Sequence, residues 1–319
     1  MKKILNSMER SLEQFFFAPD LRSEFLAFFR VSVGMVALMH FMATLRDFDR
    51  LFSSQSIVPQ DIATVFHPEW LLTFPKIVQF AAWAGISEAS TIGVAQGLYV
   101  LFCLMIILGL YSRPAAALLL LLQIALVKGS AFFVYGADFF TSMSLFYLIL
   151  FPGDRFFSLR NWLSKRPEQA VNFTPVKRMF QLHLCIAYFF SGLDKVLGFN
   201  WHNGESIWKA INLPYSNRDF YFDFSWMAQY PAILVTLGWA TILIEMLYPV
   251  FVWIPQTRKI WVFFTVCMHL GIALVLNLYY FSAIMIVWNL SNFYFENGTV
   301  WSLGKWFKLK AFARYQHAG

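Results

Sequence analysis

The chain has 319 residues, of which 59% are hydrophobic and only 13% charged, and its mean hydropathy is +0.56. A water-soluble domain carries about a quarter charged residues, so this composition excludes an ordinary aqueous fold and points to a bilayer. The net charge of +7 does not mark a nucleic-acid binder, because the basic residues collect in particular loops between apolar runs, as membrane topology requires.

In chain order, residues 1–23 are too polar for the apolar region of a signal peptide. They read as a cytoplasmic N-terminal segment. The first apolar run, about 25–45, has no clear small-x-small cleavage site after it and is expected to stay as a signal anchor. Further runs follow at about 93–111, 114–127, 131–151, 179–196, 231–254, 260–276 and 278–293. A crossing helix needs about 20 residues, so the 38-residue stretch 114–151 is too long for one span. Lys128-Gly129-Ser130 suits a turn within it. A second split falls near Asn277.

The eight-span reading places both termini in the cytoplasm. It puts seventeen Lys and Arg on the cytoplasmic side against six opposite, as the positive-inside rule asks. The expectation is therefore an all-α, polytopic transmembrane bundle of about eight spans. Residues 24–295 form the membrane domain and 296–319 a basic cytoplasmic tail. No internal repeat of the inverted-transporter kind is visible.

Two outward segments are long. In 46–92, Trp70-Leu71-Leu72 and the run from Phe74 to Ile86 suggest an amphipathic interfacial helix. Segment 197–230 holds Trp201, Tyr215, Phe220, Tyr221, Phe222, Phe224, Trp226 and Tyr230, which reads either as a lid over a cavity or as an interfacial anchor. Cys103, Cys185 and Cys267 lie in apolar runs with no paired spacing and read as buried thiols.

Ionisable residues inside a membrane are costly unless paired or hydrated, so each is a functional candidate. These are Arg30 and His40 on the first span, Asp138 on the fourth, and His183, Asp194 and Lys195 on the fifth. Glu245 lies on the sixth and His269 on the seventh. His183, Ala187, Ser191 and Lys195 are spaced by four, with Tyr188 seven before Lys195, which places a polar stripe on one helical face. Lys195 reads either as a snorkelling or salt-bridged lysine, with Glu205 or Asp138 as partner, or as a desolvated base. Glu245 sits four residues before Pro249, which removes a helical hydrogen bond there. It needs a proton or a cation such as Arg30 or a histidine. The histidines lack metal-motif spacing, and no metal is expected.

Several of these residues fall in one pattern: Phe29-Arg30, Ser112-Arg113-Pro114, Gly136-Ala137-Asp138, Tyr188-Phe189-Phe190-Ser191-Gly192-Leu193-Asp194-Lys195, Trp201-His202-Asn203-Gly204-Glu205, a mid-helix Glu245 and His269-Leu270-Gly271-Ile272. Over about 20–295 it resembles the HTTM family. That is the membrane domain of vitamin-K-dependent γ-carboxylases and bacterial relatives, including the sporulation-delaying protein B type associated with maturation of a secreted peptide toxin. The resemblance implies that Lys195 matches the lysine proposed to deprotonate vitamin K hydroquinone. The carboxylases carry lysine where this chain has Asp194, and an extensive luminal portion where this chain has about 25 residues after its last span. A true carboxylase is therefore not the expectation.

Two readings follow, with a third behind them. The first is a membrane-bound modifying enzyme of the bacterial-type inner membrane. It would use a quinone or quinol, with Lys195, Asp194 and His183 at its centre and Arg30, Asp138, Tyr188, Ser191, Trp201, Glu205, Glu245 and His269 lining the cavity. The second is a non-catalytic partner of a secreted peptide or of a co-encoded membrane protein. The third is a proton-coupled transporter built on Asp138, Glu245 and His269.

Overall fold

The computed structural model describes residues 2–19, 24–60, 62, 65, 67–129, 133–164, 171–216 and 218–295. The basic tail at 296–319 lies outside the described residues. Among those described, the chain is all helix and turn, with no strand.

Each of the eight apolar runs is helical. They are α2 (Glu24–Thr44), α5 (Glu88–Leu108), α6 (Ser112–Gly129), α7 (Gly136–Leu150), α9 (Thr174–Leu197), α12 (Pro231–Phe251), α13 (Pro255–Leu276) and α14 (Tyr279–Asn289). The shorter pieces are α1 (Lys2–Phe17), α3 (Phe48–Phe52), α4 (Phe74–Trp83), α8 (Leu159–Ser164), α10 (Phe199–His202) and α11 (Glu205–Ile211). Five helices are long and apolar enough to cross a membrane: α2 continued through α3, then α5, α6, α12 and α13. At 15 residues, α7 is apolar but short. With 24 residues, α9 is long enough, but its Lys177, Arg178, Gln181, His183, Asp194 and Lys195 make it polar for a span.

Both sequence splits coincide with helix ends. α6 runs through Lys128 and Gly129 before α7 starts at Gly136; Ser130 lies outside the described residues. Asn277 ends α13 in the left-handed region, φ +56°, a conformation asparagine tolerates better than most residues. The Phe74–Ile86 run forms α4, whose Phe74 is buried against Phe48 and Phe52 while Trp83 is exposed. The polar N-terminal segment carries a helix the composition concealed. The last turn of α1 docks on the bundle, with Phe15 against Trp253 and its carbonyl accepting from Arg178 Nε at 3.2 Å.

One end of the bundle is organised by arginines. The last carbonyls of a helix have no amide partner and carry partial negative charge. Arg30, fully buried, donates through Nη1 to Ile106 O and Ile107 O at the end of α5, and through Nη2 to Phe157 O, all at 2.6 Å. Arg113 donates to Leu150 O and Phe151 O at the end of α7, both at 3.0 Å. Arg258 donates to Val252 O at 2.7 Å and Trp253 O at 3.1 Å, just past α12. Each arginine belongs to the helix that starts beside the one it caps. The cation expected to pair with Glu245 or line a cavity is thus, for Arg30, a structural cap. Gly109 and Gly153 leave room for its side chain; a Cβ at Gly109 would lie 2.8 Å from Nη1.

Cys103 and Cys185 are buried, as expected, but Cys267 is exposed. It shares an outward face of α13 with Phe263, Phe264, Leu270 and Leu274. On a bundle surrounded by lipid such a face is apolar because its solvent is, so an apolar run did not imply burial in protein.

α9 and α12 form the most extensive helix contact. Gly192 makes it close: a Cβ there would lie 2.8 Å from Met246 N and 3.1 Å from Glu245 Cβ. Gly192→Leu should therefore destabilise the protein by about 1–3 kcal/mol, seen as a lower unfolding temperature in detergent. Gly93→Leu, where nothing lies within 4 Å, should be tolerated.

Candidate functional site

The α9–α12 contact carries a buried ion pair. Near the end of α9, Lys195 turns its ammonium back along the helix, the direction in which helical side chains lean. Its Nζ donates to Glu245 Oε2 at 2.7 Å, to Ser191 Oγ at 2.8 Å and to Ser191 O at 3.3 Å. Three acceptors match the three hydrogens of an ammonium; a neutral amine would have only two to give. The Trp201 ring sits over Nζ at 5.0 Å, a cation–π contact that adds to the pairing. The side chains of Lys195 and Glu245 are 16% and 8% exposed.

Three local features hold this group. Pro249 removes the amide that would have met the Glu245 carbonyl one turn on, and the neighbouring Ile244 carbonyl takes an extra hydrogen bond from Trp261 Nε1 at 2.9 Å. Gly238 lets the Trp201 backbone come against α12; a Cβ there would lie 2.4 Å from the Trp201 carbonyl. Gly204, at φ +81°, turns the chain into α11 against Leu234.

Next to the ion pair runs a chain of buried hydrogen bonds. Tyr248 O–H donates to Asn289 Oδ1 at 2.8 Å, Asn289 Nδ2 donates to Tyr188 OH at 2.7 Å, and Tyr188 OH meets His269 Nε2 at 2.8 Å. The two tyrosine rings lie 4.2 Å apart. Tyr188 and Lys195 share a face of α9, and Glu245 and Tyr248 share a face of α12 by their spacing of seven and three. The structure therefore unites Tyr188, Ser191, Lys195, Trp201, Glu245 and His269. It adds Tyr248 and Asn289, which the sequence reading passed over. A lone asparagine in the apolar stretch from Ile284 to Leu290 was the signal for the second.

Other expected residues lie elsewhere. Asp194, although adjacent to Lys195, is exposed on another side of α9, so the carboxylate beside the ammonium is Glu245. His183 is twelve residues before Lys195, roughly 18 Å along a helix axis. It contacts Tyr147 OH at 3.2 Å and packs on Trp288. Asp138 faces His40 at 3.9 Å and accepts from Tyr135 N at the start of α7. Glu205 pairs with Lys209 at 2.6 Å on the surface of α11. That hydrogen bond holds the Glu205 carboxyl below its usual range. An exposed pair of this kind adds little stability.

The aromatic loop divides in two. Its first part, α10 and α11, packs on α12 and covers Lys195 with Trp201. Its second part exposes Tyr215, Phe220, Tyr221, Phe222, Trp226 and Tyr230. That part is tied to the α13–α14 turn by Asn277 Nδ2 donating to Tyr215 O at 2.9 Å and Tyr279 O–H to Asp219 Oδ2 at 2.6 Å. An open hollow of about 270 Å³ lies at the arginine end, lined by Leu110, Tyr111, Arg160, Leu163 and Ser164. Among the described residues, no three of His, Cys, Asp and Glu converge as metal ligands.

No protein family, curated protein or solved structure matches this chain.

Removing one partner of a buried ion pair strands the other charge, at a cost of about 3–5 kcal/mol, whereas replacing both by apolar groups is often near neutral. Lys195→Met alone should destabilise by that order, and Lys195→Met with Glu245→Leu should recover most of the loss. Chemical or thermal unfolding in the same detergent measures both. A double variant no more stable than the single would show that the pair is not an isolated one in a low dielectric.

Proposed function

We propose that this chain is an eight-span membrane protein of the HTTM type, with its arginine end in the cytoplasm of a bacterial-type inner membrane. On this reading the Lys195–Glu245 group binds a lipid-soluble ligand that carries a hydrogen-bonding oxygen, a quinone or quinol. The observation that carries the reading is the paired ammonium and carboxylate between α9 and the apolar α12, bordered by an indole and two phenols. An ion pair inside a membrane is retained at a cost, and perturbed or buried charges cluster at functional sites.

On this reading the roles differ from those implied by the resemblance. With all three hydrogens of its ammonium engaged, Lys195 is not a free base. A quinol O–H entering the group would hand its proton to Glu245, an acceptor-only group when ionised, while the Lys195 charge would stabilise the phenolate left behind. Neither Asp194 nor His183 has a part in this. The group therefore suits a modifying enzyme that starts by deprotonating a quinol, without assigning the later chemistry.

A second reading rests on a different observation, the exposed aromatic surface of residues 215–230. Aromatic side chains dominate protein-binding surfaces, and a secreted peptide or a membrane partner is the occupant it suits.

Mass spectrometry of what co-purifies with the full-length protein tests both. A quinone-class lipid should be present with the wild-type chain and fall at least about ten-fold with Lys195→Ala, the loss expected for about 1.4 kcal/mol of binding. Equal recovery from both proteins would overturn the ligand reading. A peptide that is lost with Phe220→Ser and Phe222→Ser, and not with Lys195→Ala, would favour the second.

A further inference from the structure

The hydrogen-bond chain beside the ion pair bears on where one proton sits. Asn289 Nδ2 lies 2.8 Å from Met285 O as well as 2.7 Å from Tyr188 OH. A carbonyl can only accept, so the amide nitrogen faces Met285, and Asn289 Oδ1 is the atom that accepts from Tyr248. The Tyr188 oxygen thus receives a hydrogen from Asn289. Donating its own single hydrogen to His269 Nε2, 2.8 Å away, keeps that phenolic hydrogen paired; with Nε2–H as the donor it would have no partner in this chain of hydrogen bonds. A neutral imidazole that accepts at Nε2 carries its hydrogen on Nδ1.

That Nδ1–H is inside the protein. His269 is 2% exposed, and its Nδ1 has no hydrogen-bond partner among the described residues. The Phe281 ring lies 5.7 Å from the imidazole. Ser282, the next residue along α14, likewise has a buried hydroxyl with no partner among the described residues. A buried donor without an acceptor loses the hydrogen bond it made to water. Native structures carry few such groups, and each asks for an explanation. Tyr248, Asn289 and Tyr188 form the chain of hydrogen bonds that ends on this imidazole.

We infer that His269 Nδ1–H is the donor arm of a buried subsite for a carbonyl-type oxygen of the ligand, with Tyr188, Asn289 and Tyr248 as its positioning residues. The inference rests on the reading of the Lys195–Glu245 group as a ligand site. It adds a second, uncharged anchor on α13, so that one oxygen of a two-oxygen ligand meets the ion pair and the other meets the imidazole. It gives Tyr188 a purpose separate from packing, since its hydroxyl sets which nitrogen of His269 is protonated.

The test uses the full-length chain in lipid nanodiscs, labelled with ¹⁵N-histidine, and a short-chain benzoquinone with ¹³C carbonyls as probe. His269→Gln assigns the resonance, and the wild-type spectrum alone decides the tautomer. The expected result is a neutral imidazole protonated at Nδ1 whose Nδ1 signal moves saturably with added quinone. The carbonyl infrared band should drop in frequency on binding. Tyr188→Phe should return His269 to mixed tautomers, and His269→Phe should abolish the carbonyl shift with about ten-fold weaker binding, equivalent to about 1.4 kcal/mol. A wild-type imidazole protonated at Nε2 overturns the inference. So does saturable quinone binding that perturbs Lys195 and leaves His269 unmoved, which marks the donor's partner as water and leaves the Lys195 reading standing. Absence of saturable binding overturns both.

Discussion

An ammonium and a carboxylate fifty residues apart in sequence, held 2.7 Å apart between α9 and α12, constrain everything around them. Neither charge is tolerable alone in an apolar setting, so the two helices must meet in one register. Gly192 permits the approach, Ser191 takes the remaining ammonium hydrogens, and the Trp201 indole closes over the charge. The turns at Gly198 to Gly204 then follow, because the chain leaving α9 has to fold back across α12 to place Trp201. The His269–Tyr188–Asn289–Tyr248 chain extends the same polar seam to α13 and α14.

At the opposite end the same electrostatics acts on backbone dipoles. Arg30, Arg113 and Arg258 each settle on the carbonyl terminus of a neighbouring helix, where a cation is favoured by the macrodipole and by orphan acceptors. The bundle thus separates its charges by task. Cations at one end satisfy helix termini, and the lysine at the other pairs with a carboxylate beside the polar seam.

Much of the architecture was legible because a lipid-facing helix must be apolar along its length, and turns must interrupt it. Lys128-Gly129-Ser130 and Asn277 were read as breaks on that ground. The polar stripe of α9 was read from a spacing of four; Tyr188, Ser191 and Lys195 lie along one polar seam, whereas His183, on the same spacing, does not join them. Its partner is Tyr147 on α7, a distant element that periodicity cannot see. Arg30, read as a cavity residue, engages backbone carbonyls through Nη1 and Nη2, and such acceptors have no sequence signature. Glu245 was recognised as needing a cation, but choosing Lys195 over Arg30 required knowing that Gly192 brings α9 onto α12. Cys267 shows the reverse limit, since an apolar run does not distinguish protein from lipid on its outer face. Asn289 and Tyr248 were passed over because each is ordinary until its partner is in view.

The central claim is that Lys195 is withdrawn from water by Glu245, Ser191 and Trp201. Lys209, whose side chain is 62% exposed, offers a control within the same short stretch of chain. The direct measurement is amine acylation of the full-length protein in lipid nanodiscs with a water-soluble, membrane-impermeant reagent, read residue by residue by mass spectrometry. Lys209 should be modified quickly while Lys195 stays unmodified until the protein is unfolded. Modification of Lys195 at a rate comparable to Lys209 in the folded protein would contradict the claim.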